Sequence, residues 1–299
     1  MQNIIPTIWF NDNAEEAVRF YTSVFAHATT GRITPYTEAG KEQHGHQAGS
    51  VMTIEFEIEG MQFVGLNGGP QFPLTPAISF FVNCVSEDEI NGLWQKLTKG
   101  GEVRLPLTAY PFSKRYGWVS DQFGVSWQLM LVDEMPPQKV MPSLLFAGEQ
   151  TGHAEEAMQF YMSVFPDSKQ GMVSRYQGNE APGHEGQIAY GECTLLGQQV
   201  GFMDSGVDQD VDFNEGISLE VMCKDQAEID AYWEKLSAVP EAEMCGWLKD
   251  KYGVSWQIVP TAMNDMLNNG TPEQIERVVA AFMQMKKFDI ATLERAYNG

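Results

Sequence analysis

AEEAVRFYTSVF at residues 14–25 returns as AEEAMQFYMSVF at residues 154–165, identical at nine of twelve positions. In the first copy Ala14, Ala17, Val18, Tyr21, Val24 and Phe25 recur at helical spacing and share one face, with Asn13 placed to cap the helix. A second stretch repeats as well: WVSDQFGVSWQL (118–129) comes back as WLKDKYGVSWQI (247–258), identical at seven of twelve. Between these landmarks, residues 78–97 and 217–236 share nine of twenty, Cys84/Cys223 and Trp94/Trp233 among them. A period near 140 residues is too long for a solenoid and fits a duplicated domain.

Around the landmarks the alternation of residues gives the order of elements. Residues 4–10 (IIPTIWF) read as a strand, followed by the helix, strands at 32–37 and 51–58, a turn at Glu59-Gly60 and a strand at 62–66. In MTIEFEIE the apolar Met52, Ile54, Phe56 and Ile58 point one way and Thr53, Glu55 and Glu57 the other. After the breaker Asn67-Gly68-Gly69-Pro70 the order restarts: a strand at 77–84, a helix carrying Ile90, Leu93, Trp94 and Leu97, then strands near 103–110, 115–119 and 125–131. Each half is therefore two βαβββ units, and the chain holds four. The expected boundaries are a first domain over 1–132, a Pro-containing linker over 133–139, a second domain over 140–260, and a helical tail over 261–299. In the tail, Thr271-Pro272-Glu273-Gln274 is a capping box, Ile275, Val278, Val279 and Phe282 form an apolar face, and Asp289 is placed to cap a last helix. The tail is too short for a core of its own, so it is expected to pack on this body or on a second copy in a homodimer.

Composition narrows the function classes. The 299 residues carry 40 acidic against 19 basic side chains, a formal charge of -21, which disfavours nucleic acid and anionic membranes as partners. Cys84, Cys193, Cys223 and Cys245 are dispersed without a C-x-x-C pair, which points to core packing in a reduced compartment. The opening MQNIIPTIWFNDNAEE lacks a basic segment followed by a long apolar run, and no apolar stretch reaches membrane-spanning length, so a cytoplasmic protein is expected.

Taken together, AEEA-x-x-FY-x-S-VF, D-[KQ]-[FY]-GVSWQ, LNGGP (66–70), AISFFV (77–82), GWLKDKYGVSWQIVP (246–260) and MKKFDIATLERAYNG (285–299) resemble one group along the whole chain. It is the PhnB-like branch of the vicinal oxygen chelate superfamily, the glyoxalase/bleomycin-resistance/dioxygenase fold, whose members often carry the label 3-demethylubiquinone-9 3-methyltransferase. The resemblance implies an α+β fold in which paired βαβββ units curl a mixed sheet around a cavity, with helices outside and one trough per domain. It also implies a divalent ion held by the first and last strands of the units. Aligned on the landmarks, those positions fall near Pro6, Ala77 and Gln128, and near Pro142, Gly216 and Gln257, where an amide is the sole donor in each half. No cofactor is therefore favoured, and a divalent metal ion is the alternative.

Candidate site residues follow from strand alternation. Val125, Trp127 and Leu129 are expected to face the helices, while Ser126, Gln128 and Met130 face the cavity, as do Ser255, Gln257 and Val259 in the second copy. With Asn67 and Asp204 these make the ligand-cavity set Asn67, Ser126, Gln128, Asp204, Ser255 and Gln257. Glu55 recurs as Glu192 on a polar sheet face and is the candidate acid or base. A different metal site would combine His46, Glu55 and Gln128, or His184, Glu192 and Gln257. The run Asp204–Glu215 has alternating aspartates but Phe213 and Leu219 at the sixth and twelfth places of an EF-hand loop counted from Asp208, so it reads as a solvated acidic loop. The segment 100–117 collects Arg104, Lys114 and Arg115 with Tyr110, Phe112 and Tyr116, either a lid that meets an anion or an ordinary surface loop. No glycine-rich turn suits S-adenosylmethionine, which disfavours the methyltransferase label. The leading expectation is a protein binding a small, partly aromatic or apolar molecule without covalent chemistry. The rival is a metal-dependent lyase, isomerase or dioxygenase using Glu55 or Glu192, and a third reading keeps only one of the two cavities at work.

Overall fold

The structure, a computed structural model, describes residues 3–299. Its first unit is β1 (Ile4–Phe10), α1 (Ala14–Val24), β2 (Ala28–Pro35), the single turn α2 (Lys41–His44), β3 (Val51–Ile58) and β4 (Met61–Asn67). The second is β5 (Ile78–Cys84), α3 (Glu87–Leu97), β6 (Glu102–Tyr110), β7 (Ser113–Ser120) and β8 (Ser126–Leu131). The third is β9 (Val140–Phe146), α4 (Ala154–Val164), β10 (Lys169–Arg175), β11 (Ile188–Leu195) and β12 (Gln198–Asp204). The fourth is β13 (Ile217–Cys223), α5 (Gln226–Leu236), β14 (Trp247–Lys249) and β15 (Ser255–Pro260). The tail adds α6 (Thr261–Asn269), α7 (Pro272–Phe282) and α8 (Ile290–Asn298). No helix among the described residues is long and apolar enough to cross a membrane.

Each half packs its own helices around its own aromatic centre, but each sheet is shared between the halves. The first sheet runs β14-β15-β13-β1-β4-β3-β2 and the second β10-β11-β12-β9-β5-β8-β7-β6. Units one and four therefore meet through antiparallel β1 and β13, and units two and three through antiparallel β5 and β9. The eight-residue link from β8 to β9 keeps both strands in the second sheet, with β5 between them, while the link from β4 to β5 passes from the first sheet to the second. The troughs are consequently not the one-per-half cavities that the duplication alone suggests.

Packing explains the repeated motifs. Tyr21 of the FY pair lies 5.5 Å from Trp127 of the GVSWQ strand, ring to ring, and Tyr161 lies 5.3 Å from Trp256. Asp121 Oδ1 accepts from the backbone N–H of Phe123 and Val125, and Oδ2 accepts from Trp127 Nε1 at 2.9 Å. Asp250 binds Tyr252, Val254 and Trp256 in the same way, and adds Tyr161 Oη at 2.7 Å. The turn these carboxylates tie requires positive φ at Gly124 (+91) and Gly253 (+90), which glycine adopts without strain. Burial pushes Asp121 up to about 6 while its hydrogen bonds hold it down, so the motif is a structural clamp.

Asn13 stands at the N-cap of α1 but makes no side-chain cap bond. The open N–H of Ala14 is bound instead by Asn67 Oδ1 from the end of β4, at 2.8 Å. At the tail, the capping box of Thr271 and Gln274 forms, Asp289 caps α8, and the helices dock on this chain's own body through Val259, Met263, Val278, Phe288 and Leu293.

Candidate functional site

Strand alternation defines each trough. On β1, Pro6 pairs with core residue Leu219, so Thr7 turns to the open face opposite Ser218. On β9, Pro142 pairs with core residue Phe80, so Ser143 turns to the open face opposite Ser79. The trough-facing residues beside the expected ion positions are thus hydroxyls: Thr7 and Ser218 in the first sheet, Ser79 and Ser143 in the second. Pro6, Ala77 and Pro142 lie toward the helices, and Gly216 precedes β13. Each glutamine does reach its trough, where Gln128 Nε2 donates to Ser79 Oγ at 2.8 Å and Gln257 Nε2 to Ser218 Oγ at 2.9 Å.

In the first sheet the trough row continues into charge. Gln257 lies opposite Glu220, which no motif singled out, and Glu220 in turn lies opposite Ile5. Burial, with the Glu55 carboxylate nearby, pushes the Glu220 carboxyl up to about 7, while Arg32 and Thr7 pull the other way. Arg32 is itself engaged by Glu55, with Nη2 and Nε at 2.6 and 3.0 Å from Oε1. Lys249 on β14 pairs with Glu215 at 2.8 Å. Trp247 lies opposite Gln257 and leans onto Trp9 of β1, ring centroids 6.1 Å apart. Ser255, nearly fully buried and on the same face as Gln257, has no hydrogen-bond partner for its hydroxyl.

The second trough is packed with its own side chains. Phe81, Tyr116, Met141, Leu145 and Met203 form a buried apolar cluster separate from the main core, flanked by Trp118, Met130 and Tyr190. Tyr116 Oη donates to Gln128 Oε1, and Trp118 Nε1 donates to Ser126 Oγ at 2.6 Å. Glu192 accepts from Tyr190 Oη at 3.0 Å. The segment 100–117 is a hairpin rather than a loop, and at its end Tyr110 stacks on Phe112, which meets Tyr116 edge-on. Its cations are occupied: Arg104 by Ser120, Lys114 by Asp133 and Arg115 by Asn91.

The candidate residues are distributed accordingly. Asn67 and Asp204 end β4 and β12 and bind helix N-termini, with Asp204 accepting from Gly152, Ala154 and Ile188. Both carboxyl-end residues belong to the fold's scaffolding side. Ser126 and Gln128 share the second trough, and Ser255 and Gln257 the first. Glu55 and Gln128 lie in different sheets, as do Glu192 and Gln257, so neither proposed metal trio is assembled. His46 stacks on Tyr36 at 4.4 Å, and His184 binds Gln187 at 3.0 Å. Among the described residues no three His, Cys, Asp or Glu side chains gather to hold a metal ion. Hydroxyls and one amide per trough are weak donors, so the residues beside the expected ion positions do not fit a divalent cation. Cys84 and Cys223 are buried in the core, where desolvation pushes each thiol up to about 12. A surface cleft of about 620 Å³ lies outside both troughs, between the end of α4 and α5.

Comparison with known proteins places this architecture. Glyoxalase I from Zea mays superposes with a TM-score of 0.56 over 89% of this chain and 95% of that one, at 10% identity, which establishes the glyoxalase fold. At the level of family, the model described as 3-demethylubiquinone-9 3-methyltransferase matches residues 2–130 and 138–259, and the chain belongs to that family. A putative 3-demethylubiquinone-9 3-methyltransferase, PhnB protein, from Bacillus cereus is 38% identical over 44% of this chain and all of that one, with a TM-score of 0.40. A protein from Pseudomonas aeruginosa is 23% identical over 44% of this chain and 98% of that one, with a TM-score of 0.37. No curated protein matches the chain.

Proposed function

We propose that the chain binds a small organic molecule in the trough of the first sheet, while the trough of the second sheet is a packed structural copy. One observation carries this reading: at equivalent places on β13 and β5 the first trough presents Glu220 and the second buries Phe81. An accessible trough with a few placed polar groups is suited to a ligand, and a trough filled by Phe81, Met141 and Leu145 is already occupied by protein. The methyltransferase description names a chemistry for which the chain has no glycine-rich cofactor turn. Glu55 and Glu192 each have a partner in Arg32 and Tyr190, and within the first trough Gln257, Ser218 and Ser255 complete the polar set.

Ligand-induced thermal stabilisation tests the reading. Gln257→Ala should abolish the stabilisation given by any bound molecule, and Gln128→Ala should lower the melting temperature yet leave the ligand-induced increment intact. The reverse pattern would move the site to the second sheet.

A second reading has its own support. A carboxyl near neutrality in a substrate trough is suited to proton abstraction, which assigns the general base of a lyase or isomerase to Glu220 rather than Glu55. Glu220→Gln would then retain binding and lose turnover.

A further inference from the structure

We propose that the ligand of the first trough is a small amphipathic amine, its ammonium on the Glu220 carboxylate and its apolar body against the Trp9–Trp247 pair. The inference rests on the first trough being the binding site and adds the chemistry of what enters it. Three features carry it.

The first is charge. Glu55 and Arg32 satisfy each other at 2.6 Å, and Lys249 is held by Glu215 at 2.8 Å. The other groups facing Glu220, Thr7 on β1 and Gln257 on β15, are neutral. Among the described residues, no cation lies within ion-pair distance of Glu220. An ionised carboxylate left so is unfavourable, and a ligand ammonium supplies the missing charge. An anion would meet Glu220 and Glu55 together, in a chain of formal charge -21.

The second is the unpartnered hydroxyl. Trp118 donates to Ser126 in the second sheet, but its counterpart Trp247 turns to Trp9, and Ser255 is left buried without a partner on the trough face. Buried hydroxyls are rarely left unbonded, and a second polar atom of a ligand, beyond the ammonium, would satisfy Ser255; Ser143 is an unbonded hydroxyl of the packed trough.

The third is spacing. Trp247, Gln257 and Glu220 occupy three successive strands in one row. Adjacent strands lie about 4.8 Å apart, so the backbones at Glu220 and Trp247 are roughly 10 Å apart. An arylalkylamine spans that distance, and the indole faces also attract a cation.

Calorimetry on the intact chain at pH 8 with phenethylamine, 2-phenylethanol and 3-phenylpropionate tests this. The amine should bind at least tenfold more tightly than the alcohol, and the propionate weakest. Glu220→Gln, checked for folding by circular dichroism, should bind amine and alcohol alike, and Trp247→Ala should weaken both. Equal binding of amine and alcohol to the unmodified chain, with both lost in Trp247→Ala, would overturn the ligand class and leave the trough as the site. Binding unchanged by either substitution would overturn the site as well. Failure of all three probes at millimolar concentration would overturn the proposed ligand.

Discussion

The two troughs share a blueprint and differ in a handful of side chains. Gln128–Ser79 in one matches Gln257–Ser218 in the other, and Glu192 matches Glu55. Around that frame Phe81 stands where the other sheet has Glu220, Tyr116 where it has Cys245, and Met172 where it has Arg32. The first group closes a trough: Tyr116 satisfies Gln128, the long hairpin brings Tyr110 and Phe112 over it, and Phe81 meets Tyr190 at 5.6 Å. The second group leaves one accessible, because the fourth unit is ten residues shorter before its last strands and keeps only three residues of β14. Duplication supplied two equal frames, and a few substitutions filled one with its own side chains and lined the other with charge.

The sharpest way to break this comparison is to exchange the distinguishing pair. Phe81→Glu places an unpartnered carboxyl in a sealed apolar cluster, and should destabilise the chain by about 3–5 kcal/mol or prevent folding. Glu220→Phe, by contrast, removes a desolvated carboxyl from a half-buried position, and should change stability by about 1 kcal/mol or less. Denaturant titration of both variants would read the difference. Equal costs would mean that the troughs are packed alike.

The pH dependence comes next in size. Glu220 is pushed to about 7 from an ordinary 4.5, and Asp121 to about 6 from 3.8, both chiefly by burial. Between the ordinary and the raised value the folded chain keeps a proton that the unfolded chain has released. The stabilisation is therefore full below the ordinary value and lost as pH rises through the raised one. Stability should fall between about pH 4 and pH 7. Glu220→Gln should remove about 1–3 kcal/mol of that fall and leave the part due to Asp121, Asp204 and Asp250, whose carboxyls burial also raises, as measured by unfolding across this range. A variant with the full decline would show that Glu220 titrates normally.

A smaller contrast lies in the paired tryptophans. Trp118→Phe deprives buried Ser126 of its donor and should cost about 1–2 kcal/mol beyond the ring's lost packing. Trp247→Phe leaves Ser255 as it was and should cost less, which denaturant midpoints would resolve. If the costs were equal, the Ser126 bond would contribute nothing to closing the second trough.

How much of this was legible in the chain itself can be argued from particular residues. Period-two alternation placed Gln128, Gln257, Ser126 and Ser255 on the trough face, because strands 125–131 and 255–260 carry unambiguous apolar partners. Of the expected ion positions, Pro6 and Pro142 turn to the helix side, one residue out of phase with the trough face, and Ala77 and Gly216 precede β5 and β13. A one-residue shift reverses a strand's faces, and near-continuous apolar strands give no internal check. Glu220 had a signal in ISLEVMC, where Ser218 and Glu220 alternate against Ile217, Leu219 and Val221. It stayed hidden because repeat comparison favours residues that recur, and Glu220 has no counterpart. Pairing of units across the halves was not legible, since four similar units permit either arrangement.

Arg32 offers the finest test of the comparison. It is an ion-pair partner of Glu55 at the sheet edge, with side chains about a third and somewhat under half exposed, so the pair itself is worth only ~0.5 kcal/mol after solvent screening. Its larger role is in the field at Glu220, where Arg32 opposes Glu55. Arg32→Met installs the residue found at this place in the second trough and leaves Glu55 uncompensated. Two like charges then face each other across the trough, and ionisation of Glu220 becomes harder. Stability at pH 5 should barely change, while the titration midpoint of Glu220, followed by carboxyl carbon NMR, should move upward from its position in the unmodified chain. An unmoved midpoint would mean that Glu220 alone, without the Arg32–Glu55 pair, sets the electrostatic difference between the two troughs.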